Sequence, residues 1–96
     1  MSPKNIKELQ KLRKKLDKID LELLKIIKRR SLLVKKVLSL KEFKNQIVDH
    51  KRINAILKKI KILSIKNKID PRITKRIWEN MIWSYIDYER RNFKKK

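Results

Sequence analysis

Cations stand in this sequence where an apolar or fully solvated residue would be simpler. Arg13, Arg30 and Lys41 lie within or beside one apolar stripe, Arg52 follows a candidate helix cap, and Glu89 occupies an otherwise apolar position near the C-terminus. A charge held against an apolar face loses hydration, so each of these groups needs an opposite charge from the protein or an anionic ligand. Arginine's planar fork pairs bidentately with carboxylates, and a lysine ammonium donates to a single oxygen. Convergence of Arg30, Lys41, Arg52 and Glu89 from separate helices onto one place would make a pocket for a small anion.

Other chemistries are harder to build from these residues. There is no cysteine and one histidine, His50, which removes disulfides, thiolate metal sites and any metal site needing several imidazoles. Glycine is absent, and with it the phosphate-cradling loops and dinucleotide fingerprints that depend on glycine backbone geometry. A reaction needing no cofactor fits this inventory. The formal net charge of +20 invites an anionic partner, and a basic helical protein binding nucleic acid is the rival reading from another class. Codon bias toward lysine, isoleucine and asparagine accounts for the same charge as a solvated surface. Trp78, Trp83, Tyr85 and Tyr88 share one helix and read as packing residues rather than base-stacking platforms.

The elements that must position these residues are helices. Leu9, Leu12, Leu16, Ile19, Leu23, Ile26, Leu33, Val37 and Leu40 follow alternating steps of three and four, with Arg30 on the same track. This pattern predicts a helix over about 4–41, some ~50 Å long and too long to bury its stripe within a fold of this size. Asp49 reads as the cap of a second helix over about 49–66, and Asp70-Pro71 as the start of a third over about 71–93. The expected fold is all-α, a single domain over 1–96 with three helices, completed by a second copy. Met1-Ser2-Pro3-Lys4 leads directly into charged residues, and no apolar run approaches the ~20 residues of a membrane span, which points to a soluble cytoplasmic protein.

Spacing limits which cations can meet. Arg30 and Lys41 stand ~16 Å apart along a helix, within joint reach of one small ligand, whereas Arg13 is ~42 Å from Lys41. In an antiparallel pair of long helices, Arg13 of one copy would lie beside the Arg30 to Lys41 stretch of the other, giving two symmetric shared sites. Taken singly, Arg13 and Lys41 read as residues that snorkel to solvent, and Arg30 as a register-setting polar residue.

The run from Leu12-Arg13 through Asp20, Lys28-Arg29-Arg30 and Val34 to Lys41, continued by Val48-Asp49, Arg52 and Asp70-Pro71, resembles the all-helical, AroQ-type chorismate mutase family. The resemblance implies an intertwined homodimer of three-helix subunits that converts chorismate to prephenate for phenylalanine and tyrosine synthesis. It implies that Arg30 and the other subunit's Arg13 clamp the substrate carboxylates with Arg52 in support. Lys41 would donate to the breaking ether oxygen, and Asp49 would help place the ring hydroxyl.

Two positions depart from the family pattern. Glu89 replaces a glutamine that many bacterial members use to donate to the ether oxygen. A carboxyl donates only when protonated, so activity that improves toward acidic pH is expected. Ile53 stands where mutases commonly carry a glutamate that binds the substrate hydroxyl. Together with Tyr85 it resembles the related isochorismate pyruvate lyases, which release pyruvate and salicylate, so lyase activity is the alternative. Glu89 departs from the lyase pattern too, and the mutase reading is preferred.

Overall fold

The computed structural model describes residues 2–95, and every regular element among them is helical. Helix α1 spans Pro3–Leu40, α2 spans His50–Lys66 and α3 spans Pro71–Asn92, with a single 3-10 turn over Lys44–Gln46 between α1 and α2. The chain is thus all-α, built on three helices. Among the described residues, no helix is long and apolar enough to cross a membrane.

Packing divides the chain into two compact units, Met1–Leu33 and Val34–Lys96. The first unit is helix throughout its described length after Ser2. Ser2 Oγ accepts from the Asn5 amide at 3.2 Å, and Pro3 takes the first helical position, where its missing amide hydrogen costs nothing. None of its described residues is buried. Leu12, Leu16, Ile19, Leu23 and Ile26, the centre of the apolar stripe, are 48% to 57% exposed within a single chain. A stripe of this kind is stable in water only when something covers it.

The second unit holds the core. Ile47, Ile82 and Ile86 form a buried cluster against which Val48, Ile53, Ile56, Leu57 and Phe93 pack. Asp49 caps α2 by accepting from the Arg52 amide at 3.0 Å. Val48, just before that cap, and Ile53, four residues after it, meet the same cluster, an arrangement that fixes the angle at which the chain enters the helix. Asp70 caps α3 in the same way through the Arg72 amide at 2.9 Å, and Pro71 follows as the first helical residue. Between α2 and α3, the buried hydroxyls of Ser64 and Thr74 lie 2.7 Å apart, and Ser64 also donates to the Ile60 carbonyl at 2.6 Å.

The turn joining α2 to α3 solves a problem that the absence of glycine creates. Lys68 adopts φ of 58°, its amide donates to the Ile65 carbonyl at 3.1 Å, and the Ile69 amide donates to the Ser64 carbonyl at 2.8 Å. These bonds make a Schellman ending, which normally has glycine at the left-handed position. Here a lysine carries the steric cost of that conformation.

Candidate active site

Helix α1 stops at Leu40, so Lys41 lies just outside the helix expected to carry it, its amide held to the Leu38 carbonyl at 3.1 Å. The following chain is fastened by one side chain. Gln46 Oε1 accepts from the amides of both Glu42 and Phe43, at 2.8 and 2.9 Å, and so satisfies two backbone donors that the end of α1 leaves without helical partners. The Lys41 side chain leaves this anchored segment and reaches α3.

There it meets Glu89. Lys41 Nζ donates to Glu89 Oε2 at 2.9 Å, with the two side chains 19% and 8% exposed. The other ion pairs described, Lys11 with Glu8, Lys75 with Glu79 and Arg91 with Asp87, join residues three or four apart on exposed stretches of one helix. Such surface pairs contribute little, whereas a pair withdrawn from water is retained only with close geometry. Glu89 follows the buried Ile82 and Ile86 at the helical spacing of one face, which is how α3 carries a carboxylate into its apolar side. Tyr85, one turn before Glu89, is partly buried on that side as well.

The remaining candidates are distributed unevenly. Asp49 is exposed and uses Oδ1 to cap α2. Arg52 is exposed in the single chain, next to the partly buried Ile53; its backbone amide donates to Asp49. Ile53 packs against the isoleucine cluster, so its side chain belongs to the core that supports α2. Arg30 is partly buried and Arg13 fully exposed, both in the first unit. Within the second unit, Lys41 and Glu89 are brought into direct side-chain contact. An ammonium has three donors, so Lys41 can hold Glu89 and still offer hydrogen bonds to a ligand oxygen.

A family model described as chorismate mutase type II matches residues 12–90, a span that includes every candidate named above. The chain belongs to the chorismate mutase type II family. Neither a curated protein nor a solved structure matches it. The family comprises isomerases that act on chorismate, which agrees with an inventory lacking cysteine and glycine and centred on cations. The family match does not favour the lyase or nucleic-acid readings.

Sequence reasoning passed over two supports of this candidate site in the chorismate mutase type II chain. Gln46 sits in a connection without periodicity, and nothing in its spacing marks it as a double acceptor. Ile47 lies in the same connection yet is among the most buried residues of the chain. The pair Ile47-Val48 immediately before a capping aspartate was the available signal, since an apolar residue preceding a cap commonly packs onto the helix it introduces.

Proposed function

We propose that the chain is a homodimeric chorismate mutase that rearranges chorismate to prephenate in two sites, each completed by Arg13 of the partner subunit. The reaction is a unimolecular rearrangement of a dianion. Its acceleration comes from holding the compact reactive conformer and from stabilising negative charge on the breaking ether oxygen. Arg30 and Arg13 of the partner subunit clamp the two carboxylates, with Arg52 in support, and Asp49 orients the ring hydroxyl. Lys41 donates to the ether oxygen.

The observation that carries this reading is the sequestered Lys41–Glu89 pair within a chain matched to the family over residues 12–90. Glu89 keeps the ammonium close to α3. Only an acid form could donate to the ether oxygen, and it would keep a carbonyl oxygen that still accepts from Lys41; a charged carboxylate opposes the negative charge that accumulates on the ether oxygen. The half-exposed stripe of α1 supports the dimer, because a second copy offers an identical stripe of matching length.

The test is to incubate the purified protein separately with chorismate and isochorismate and identify the products. Prephenate from chorismate is the expected result. Salicylate and pyruvate from isochorismate, with no prephenate, would transfer the site to the lyase reaction, for which Ile53 and Tyr85 are the residues to examine.

A further inference from the structure

On α2 and α3, away from Lys41 and Glu89, a groove of about 480 Å³ opens between the second half of α2 and the first turns of α3. Its floor is apolar, made by Leu57, Ile60 and Pro71, and its rim carries Lys58, Lys61, Arg72 and Lys75. No carboxylate lines it. Lys58 and Lys61 are three residues apart on α2, and Arg72 and Lys75 three apart on α3, so each helix presents two like charges on neighbouring positions, an arrangement that is unfavourable by itself. Two carboxylates stand beside the groove without lining it: Glu79, 3.8 Å from Lys75, and Asp70, whose Oδ1 accepts from the Arg72 amide at 2.9 Å.

A solvated basic surface or a phosphate-binding patch needs no apolar floor, and a platform for single-stranded nucleic acid would present aromatic rings, which this groove lacks. We infer that the groove is a second ligand site, separate from the chorismate site, for a small organic carboxylate with an apolar ring or chain. The apolar body covers Leu57, Ile60 and Pro71 while the carboxylate is shared among the rim cations. The volume falls in the range of small-molecule pockets. The Arg72 amide is already taken by the Asp70 cap, so recognition of the charge falls to the side chains.

The full-length ¹⁵N-labelled chain is titrated with 3-phenylpropionate, and in parallel with 3-phenylpropan-1-ol, which lacks the charge, and with acetate, which lacks the apolar body. The inference expects saturable amide shifts over 57–61 and 72–75 with 3-phenylpropionate, and binding there at least about fivefold weaker for each of the other probes. Lys61→Gln with Arg72→Gln weakens those shifts roughly tenfold while chorismate turnover stays at the wild-type rate. Absence of saturable shifts in these segments up to ~10 mM overturns the inference, as does equal affinity for the alcohol or unchanged binding by the double variant. Because turnover is read on the same variant, failure of this site is distinguishable from failure of the mutase reading.

Discussion

The Lys41 ammonium lies 2.9 Å from the Glu89 carboxylate, joining the end of α1 to the last turns of α3 across 48 residues of sequence. Both side chains are largely withdrawn from water, where an unpaired charge is costly, so each helps fix where the other points. In a family that accumulates negative charge on a substrate oxygen, that contact puts an anion next to the proposed donor.

The first prediction concerns the charge at position 89. Glu89→Gln places a neutral amide, which can donate, where the carboxylate faces the proposed donor Lys41, so kcat at neutral pH is expected to match or exceed that of the wild type, measured by the loss of chorismate absorbance. A loss of about tenfold or more with the fold intact would reject this role. The substitution leaves an amide oxygen for Lys41 to bond, so the expected stability loss is only about 1 kcal/mol.

The shared site makes a prediction about mixtures. Arg13→Ala and Arg30→Ala homodimers each lose about 10²-fold or more in kcat/KM, since each removes a carboxylate clamp from every site. Unfolded together and refolded at equal concentration, they form mixed dimers in which one site has both arginines and the other has neither. Recovery of roughly one quarter of wild-type activity is expected from that statistical assortment. No recovery, with mixed dimers demonstrated by mass spectrometry, would place both arginines in sites contained within one subunit.

The apolar stripe predicts how the dimer fails. Leu23 is 48% exposed in a single chain but lies on the heptad track, so Leu23→Asp introduces facing carboxylates into the proposed seam and should yield monomers without activity by light scattering. Leu23→Ala should cost about 2–5 kcal/mol and lower a Tm that depends on protein concentration. Leu21, 61% exposed, is about 200° away around α1, and Leu21→Asp should leave the dimer intact.

The glycine-free turn predicts a gain. Lys68 holds φ of 58°, where a side chain crowds the backbone, so Lys68→Gly should raise stability by about 1 kcal/mol in urea unfolding. Lys68→Val should lower it, because a β-branched residue tolerates that region least. Opposite signs for the two substitutions would establish that backbone strain, and not lost lysine contacts, sets the effect.

The all-α class could be read from the sequence because each helix carries its apolar residues at steps of three and four. Asp49 and Asp70 could be read as caps because a short acceptor side chain before such a stripe has a specific bond to make. Glu89 stood out for a related reason, as an acid on an apolar track. Its bond to Lys41 did not, since a contact across 48 residues depends on how the connection between α1 and α2 turns, and that connection is held by Gln46 and Ile47 without any periodic signal. The lysine-ended Schellman turn escaped notice because the usual marker, glycine, is not in the chain.

The pairing of Lys41 with Glu89 also restricts the order in which descendants of this sequence could change. Replacing Glu89 by glutamine first leaves the ammonium a neutral oxygen to hold, a step that natural drift can take without losing the fold. Replacing Lys41 first strands a carboxylate that is 8% exposed, and selection would remove that intermediate before a compensating change arrived. Position 89 can therefore explore alternatives while position 41 waits, so lineages should diverge in the acid before they diverge in the base.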